Sequence, residues 1–166
     1  MRGGEKMKTE ARIKIRSELY EVDASLFTDA DDVLSELDDG DTAEADVLEI
    51  NSLGSICDDG ERISISYSET EATGMEGSTT VISFLKSSPD IVAMTRDGVV
   101  SATLVFEEGK RHHCIYKTPF MPFEVCVKTS KVVNAIAASG TLELDYVVEI
   151  RGAKAERTKF RMQILK

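Results

Sequence analysis

The strongest constraint in this sequence is a two-residue alternation of apolar and polar side chains that recurs along most of the chain. It is plain in residues 11–16 (ARIKIR), where apolar side chains alternate with cations. Successive side chains of a β-strand point to opposite faces, so such a run predicts a strand with one buried face. Similar runs occupy residues 63–67, 79–86, 90–96, 100–107, 111–118, 123–130, 141–150 and 157–165, with a weaker one at 46–53. The pattern predicts about ten strands and no long helix.

Turn-forming residues separate these runs at short intervals. They include Asp-Gly, Ser-Pro, Glu-Gly and Ser-Gly pairs within residues 58–60, 88–90, 97–98, 108–109 and 139–140, and a glycine at position 152. Many short strands joined by tight turns are typical of a β-sandwich or a β-barrel. We expect an all-β, up-and-down antiparallel barrel, because a meander of hairpins closes on itself without leaving an exposed sheet edge.

Acidic residues are concentrated in one part of the chain. Residues 21–61 contain fifteen Asp and Glu and no Lys or Arg, which leaves 20 basic and 15 acidic residues elsewhere. The stretch 21–46 lacks strand patterning, so we expect it to be an acidic loop after the first strand. Within it, Thr28 as an N-cap, apolar residues on one face and Gly40 as a stop signal indicate one short helix.

Length and charge limit the class of protein. A chain of 166 residues fits one domain spanning 1–166, with the acidic loop as an insertion. The net charge of −10 and the pI near 4.7 argue against a general nucleic-acid binder, and we expect no DNA partner. No window approaches the ~18 apolar residues of a membrane span, and residues 1–8 lack the apolar core of a secretory signal. Three cysteines without a CxxC pair are typical of reduced thiols, which predicts a cytoplasmic protein.

No motif for catalysis or cofactor binding is present in the sequence. It lacks the GxSxG, Walker and GxGxxG patterns. His112 and His113 are adjacent on a predicted strand, so they point to opposite faces and cannot bind one metal ion together. Cys114 shares the face of His112 and is expected to be a small buried apolar residue. We therefore expect no metal, no cofactor and no catalytic residue.

Five short motifs from residue 67 onward resemble a known family. They are residues 67–77 (YSETEATGMEG), 96–98 (RDG), 104–109 (LVFEEG), 116–120 (YKTPF) and 140–146 (GTLELDY). Their order and spacing are similar to those of the YwiB-like bacterial domains of unknown function, which are small cytoplasmic proteins. The resemblance implies a calycin- or lipocalin-like barrel of about 8–10 strands and implies no activity. This chain departs from the family at residues 121–122 (MP), where a glycine is expected.

One end of the expected barrel collects polar side chains that face its interior. In each strand we take the more apolar alternation as inward. Consecutive strands of a meander run in opposite directions, so alternate strand ends, and with them the connection at residues 21–46, lie at the same rim. The inward polar residues predicted to contact a ligand there are Tyr67, Glu69, Thr80, Arg96, Tyr116, Thr118 and Tyr146.

Two interpretations of this polar end remain open. A long loop over a polar mouth is how ligand-holding barrels are commonly built, which favours a small amphipathic molecule bound inside. Its apolar part would then contact a floor made by Ile82, Phe84, Met94, Phe106 and Leu144. The other interpretation is structural: Glu69 and Arg96, a few ångströms apart, would form a buried ion pair that fixes the strand register.

Basic side chains form a second candidate surface, on the outside of the barrel. They share one face of the first strand and one face of the last: Arg12, Lys14, Arg16, Arg157, Lys159 and Arg161. If these strands pair, the six residues form one stripe, which is either a solvated face or a docking patch for an acidic partner, RNA or a second copy of the chain. Non-catalytic ligand binding is the leading hypothesis and an interaction module is the alternative. An enzyme, with Glu69 and Tyr116 transferring protons, comes third.

Overall fold

The described residues form ten strands and one short helix. The computed structural model describes residues 7–22, 46–69, 77–150 and 154–165. No helix in these ranges is long and apolar enough to cross a bilayer. The elements, in chain order, are β1 (Met7–Val22), β2 (Asp46–Asp58), β3 (Arg62–Ser68), β4 (Thr79–Leu85), β5 (Ser88–Asp97), β6 (Ala102–Glu107), β7 (Arg111–Lys117), β8 (Pro122–Ala135), α1 (Ile136–Ser139), β9 (Thr141–Ile150) and β10 (Lys154–Leu165).

All ten strands belong to one antiparallel sheet, in the order β6-β5-β4-β3-β2-β1-β10-β9-β8-β7. The first strand pairs with the last, from Arg12 opposite Leu165 to Val22 opposite Ala155. The chain ends therefore meet in the middle of the sheet, and its two edges are consecutive strands, β6 and β7. The sheet curls until these edges approach each other. The result is the calycin-like, nearly closed up-and-down barrel that the sequence predicted.

The two edge strands meet at an incomplete seam. A tight turn joins β6 to β7, but among the described residues the only bridge between them links Ser101 to Lys117. The turn docks on β8 instead: the Gly109 amide donates to the Thr129 carbonyl at 2.9 Å, and the Thr129 amide donates to the Lys110 carbonyl at 3.2 Å. A register shift in β8 directly follows Thr129. Because these bonds hold the turn against β8, β6 and β7 do not form the regular hairpin that the sequence suggested.

The core follows the predicted alternation. Its largest fully buried side chains come from inward positions all around the barrel: Ile13, Ile65, Ile82, Val92, Met94, Leu104, Phe106, Val125, Val127, Leu142, Leu144 and Met162. Burial of each such side chain contributes about 1.5–3 kcal/mol to stability. The five residues predicted to form an apolar floor all belong to this one core cluster: Ile82, Phe84, Met94, Phe106 and Leu144. Gly54 in β2 permits a close approach here, since a Cβ at this position would clash with Ile13 Cδ1 and would lie 2.6 Å from the Ser66 carbonyl oxygen.

Strand direction defines the two ends of the barrel. Strands β1, β3, β5, β7 and β9 all finish at one end, which we call the mouth, and α1 lies at the opposite end. Most of the predicted acidic insertion, including its short helix, falls outside the described residues, because β1 extends to Val22 and β2 begins at Asp46. Both strands reach the mouth, so the connection between them leaves and returns at the end that the sequence predicted.

Candidate functional site

A row of inward-facing residues crosses neighbouring strands near the mouth. Tyr67 of β3 lies opposite Thr80 of β4, Thr80 lies opposite Arg96 of β5, and Arg96 lies opposite Ala102 of β6. Directly opposite residues on one face of an antiparallel sheet have Cβ atoms about 5 Å apart, so their side chains interact. The register therefore brings together three of the residues that the alternation predicted to share this end of the barrel.

Glu69 lies on the same face, two residues after Tyr67, and its carboxylate is buried. The residue is only 5% exposed, and its Oε1 accepts a hydrogen bond from Thr80 Oγ1 at 2.5 Å. The Glu69 amide donates to the Ser78 carbonyl at 2.8 Å, which fixes the backbone that carries the carboxylate. Within the described part of the chain, Glu69 Oε2 has no hydrogen-bond partner. One oxygen of a buried carboxylate is satisfied and the other is open.

Thr80 links the carboxylate to Tyr67. The Thr80 hydroxyl is also hydrogen-bonded to the Tyr67 phenol. Burial is the largest cause that raises the pKa of Tyr67 above its ordinary value, and the Glu69 carboxylate acts in the same direction. The three side chains form a hydrogen-bonded relay, in which Thr80 donates to the Glu69 carboxylate and also contacts the Tyr67 phenol.

Arg96 provides a cation in this layer, but it does not form the expected ion pair. No nitrogen–oxygen contact within 4.0 Å joins Glu69 and Arg96 in the described structure. The expectation of a direct ion pair was therefore wrong: Thr80, on the strand between them, donates to Glu69 Oε1 instead. The Arg96 guanidinium is instead hydrogen-bonded to the Tyr116 hydroxyl, while its buried Nε has no acceptor among the described residues. Burial alone would lower the pKa of Arg96, but the neighbouring tyrosine oxygens and the Glu69 carboxylate together raise it, so the group stays protonated.

Tyr146 of β9 connects the polar layer to the apolar core. Its ring packs against Phe106 of β6 with centroids 4.5 Å apart and an interplanar angle of 50°. These strands are not neighbours in the sheet, so the contact crosses the barrel interior. The Tyr146 hydroxyl interacts electrostatically with Arg96 and Tyr116. Burial raises the pKa of Tyr146 to about 12, although Arg96 opposes the shift. The ring thus belongs to the core and the hydroxyl to the polar layer.

Two residues of β10 complete this layer, and the sequence alone did not single them out. Thr158 is buried opposite Tyr146 and hydrogen-bonds to its hydroxyl. Glu156 lies two residues nearer the mouth, is exposed, and acts on the phenols of Tyr116 and Tyr146. The signal that could have found both is the β10 alternation, continued backwards from Phe160 toward the mouth.

Thr118 does not join the polar layer, which corrects the expectation for this residue. Its hydroxyl donates to the Met121 carbonyl at 2.8 Å and accepts from the amides of Met121 at 3.2 Å and Phe120 at 3.3 Å. A threonine hydroxyl commonly bonds to the backbone two or three residues onward, and here it stabilises the connection between β7 and β8. The adjacent Phe120 is 94% exposed, and Met121 is also exposed at this rim.

The outer basic stripe exists, but acidic residues interrupt it. Pairing of β1 with β10 places all six cations on one outer face, as predicted. Three of them contact carboxylates on neighbouring strands: Arg16 with Glu49 at 2.5 Å, Arg157 with Asp145 at 2.8 Å and Arg161 with Glu143 at 3.6 Å. Lys159 lies over the Tyr20 ring, with its Nζ 6.0 Å from the centroid. Only Arg12 and Lys14 remain exposed without an ion-pair partner within the described ranges, so the stripe is not a continuous cationic surface.

The histidines and cysteines form no site in the described ranges. His112 is half-buried and His113 is exposed, and each contacts its own carboxylate at 3.1 Å, on Glu107 and Glu124 respectively. No three His, Cys, Asp or Glu side chains of the described residues are placed to hold a metal ion. The three cysteines are unpaired, and burial raises the pKa of Cys114 to about 11, so that its thiol is protonated at neutral pH.

These features define the class of protein: a calycin-like β-barrel with a polar layer inside its mouth. The chain belongs to the family described as a domain of unknown function (DUF1934), whose model matches residues 33–162. The crystal structure of the YwiB protein from Bacillus subtilis is similar, with a TM-score of 0.59 and 15% sequence identity over 95% of this chain and 94% of that one. At this identity the likeness shows the fold alone. No curated protein matches the sequence significantly.

Proposed function

We propose that this protein binds a small amphipathic molecule at the polar layer of the barrel, without catalysis. Four buried side-chain atoms of the described residues lack a hydrogen-bond partner: Glu69 Oε2, Arg96 Nε and the hydroxyls of Ser78 and Thr129. The observation that carries the proposal is that the two from charged groups, Glu69 Oε2 as an acceptor and Arg96 Nε as a donor, both belong to this polar layer. A buried polar atom without a partner costs about 1–3 kcal/mol, and folded proteins seldom leave one open. A ligand that hydrogen-bonds to both atoms removes this cost.

Two apolar surfaces adjoin the layer and support an amphipathic ligand. On the inner side, Met94 and Phe106 belong to the continuous core. On the outer side, Val99, Phe120 and Met121 are exposed on two connections at the mouth, which the bridge between Ser101 and Lys117 holds together. Binding sites for small molecules are typically apolar surfaces with a few placed polar groups, which is the composition of this end of the barrel.

The titration behaviour of the layer favours binding over proton transfer. An effective general acid or base has a pKa near the working pH. Burial moves the pKa of Tyr67, Tyr116 and Tyr146 upward, away from neutrality. These phenols therefore act as hydrogen-bond donors. The unpaired cysteines support the further proposal that the protein works in the cytoplasm, where thiols remain reduced.

The alternative function is an interaction module that uses the outer face. Two exposed cations, Arg12 and Lys14, favour this alternative. An apolar side chain lies beside them, because Leu53 is opposite Arg12 and is 71% exposed. An acidic protein, RNA or a second copy of this chain would bind there. Reversing both charges to Glu should then abolish co-elution with that partner, whereas it should leave binding of a small molecule in the mouth unchanged.

Native mass spectrometry of freshly purified protein tests the proposed function. We expect a mass excess from a small molecule that is released on unfolding, together with saturable binding of an apolar fluorescent dye that this molecule displaces. The matched comparison is Arg96→Gln, which removes the guanidinium and keeps a polar side chain, and which should lower the bound fraction. Protein that carries no small molecule and shows no saturable dye binding would contradict the proposal.

A further inference from the structure

We propose that the polar end of the ligand is a neutral group that both donates and accepts hydrogen bonds, of the carboxamide type. This inference rests on the proposed function, because it specifies the chemistry of the molecule bound at the polar layer. It follows from the hydrogen-bonding groups of Glu69 and Arg96 that have no partner among the described residues. Neither the sequence motifs nor the structural likeness to YwiB identifies such a group.

The carboxylate side of the layer requires a donor. Glu69 is only 5% exposed, its Oε1 accepts the hydrogen bond from Thr80, and in the described structure its Oε2 has no partner. An ionised carboxylate accepts hydrogen bonds and donates none. The relay from Tyr67 already ends at the other oxygen, so the open oxygen needs an N–H or O–H group from outside the relay.

The guanidinium side of the layer requires an acceptor. Arg96 already contributes a hydrogen bond to Tyr116, and its Nε–H remains without an acceptor among the described side chains and backbone. Arginine has five donors and no acceptor, so the group that meets Nε must present an oxygen or another lone pair. Arg96 lies two strands from Glu69, across Thr80, so a single ligand would have to satisfy both requirements from within the mouth.

The charges of the layer favour a neutral group over an ion. Glu69 and Arg96 carry opposite charges, so an ionised carboxylate would be attracted by Arg96 and repelled by Glu69, while an ammonium would meet the reverse. A carboxamide presents an N–H to the Glu69 carboxylate and a carbonyl oxygen to the Arg96 guanidinium. Sites with buried polar groups discriminate strongly against a ligand that leaves one of them unpaired. One ordered water molecule could supply the same two bonds, and the experiment separates these cases.

Three probes with the same tail and different polar ends test the inference: octanamide, octanoate and octylamine. Each would be titrated into the full chain with tyrosine fluorescence as the readout, since the protein has no tryptophan and three of its four tyrosines lie in this layer. We expect octanamide to bind at least about tenfold more tightly than either ion, which corresponds to about 1.4 kcal/mol. Tighter binding of octanoate or octylamine overturns the inference and leaves the proposed function intact.

Two charge variants test whether Glu69 and Arg96 contact the ligand. Their preference among the three probes would not change if the two residues only stabilised the fold. Glu69→Gln removes the negative charge and should shift preference toward octanoate, whereas Arg96→Gln removes the positive charge and should shift it toward octylamine. Thr129→Val is the control, because it changes a buried hydroxyl without a partner in the described residues and no charge. Circular dichroism would confirm that each variant is folded. Unchanged preference in both charge variants, or no octanamide binding by protein that does bind the dye, overturns the inference.

Discussion

Replacing Thr80 by Val tests the hydrogen-bond relay that holds the Glu69 carboxylate. Thr80 is fully buried, donates to Glu69 Oε1 at 2.5 Å and is also hydrogen-bonded to Tyr67. Valine has nearly the same shape and is equally suited to a strand, so the substitution removes the hydroxyl and little else. Thr129 provides a matched control. It is also fully buried and on a strand, but within the described structure its hydroxyl has no partner.

The expected magnitudes follow from these contacts. A hydrogen bond to a charged group contributes about 1.5–3 kcal/mol and one between neutral groups about 0.5–1.5 kcal/mol, and Thr80→Val removes one of each. A methyl group in place of a buried hydroxyl offsets part of this loss. We expect Thr80→Val to lower the free energy of unfolding by about 3 kcal/mol, which lowers the melting temperature by about 6–12 °C for a domain of this size. Thr129→Val should leave stability unchanged or raise it by about 1 kcal/mol.

Urea unfolding followed by circular dichroism measures both effects. The slope of the transition should be the same for the two variants and the wild type, so that the midpoints report stability directly. Combining Thr80→Val with Glu69→Gln should cost less than the sum of the separate losses, because the two side chains share one hydrogen bond. Equal losses for Thr80→Val and Thr129→Val, or strict additivity with Glu69→Gln, would refute the relay.

Three further predictions concern titration and packing. The pKa of Tyr146 is about 12 in the folded protein against an ordinary value of 10, so its stabilising effect is full below pH 10 and is lost as the pH rises through about 12. Urea midpoints should record a loss of about 3 kcal/mol over this interval that is smaller in Tyr146→Phe. Arg157→Gln breaks a mostly buried ion pair and should cost about 3 kcal/mol, whereas Arg16→Gln breaks an exposed pair and should cost less than about 1 kcal/mol in the same assay. Gly54→Ala should lower the melting temperature and cost about 1–3 kcal/mol, because the new Cβ would meet the Ser66 carbonyl.

The local features of the fold were predictable because they depend on neighbouring residues. The alternation gives each strand its inner face, and antiparallel connectivity places alternate strand ends at one rim. Tyr67, Thr80 and Arg96 were therefore correctly grouped before their register was known. Thr118 was misplaced because the alternation was continued past the last residue of β7, where the chain turns and the hydroxyl bonds to the backbone.

The errors in longer-range features have a common physical cause, which is that they depend on register across several strands. Glu69 was paired with Arg96 because the alternation places both residues on the inner face at the same rim, but the Thr80 hydroxyl on the strand between them donates to the carboxylate. The neutralising partners of the outer stripe lie on β2 and β9, and their contacts with β1 and β10 follow from pairings that no local pattern contains. The open seam likewise depends on where the β6–β7 turn docks on β8, through hydrogen bonds to Thr129.

A high-resolution crystal structure of the protein purified without added ligand, under native conditions, tests the central claim most directly. The measurement is the electron density between Glu69 Oε2 and Arg96 Nε. Our account predicts density for an organic molecule that hydrogen-bonds to both atoms and extends toward the exposed Phe120 and Met121 at the mouth. A direct ion pair between Glu69 and Arg96, or a single water molecule joining them in a closed layer, would contradict it.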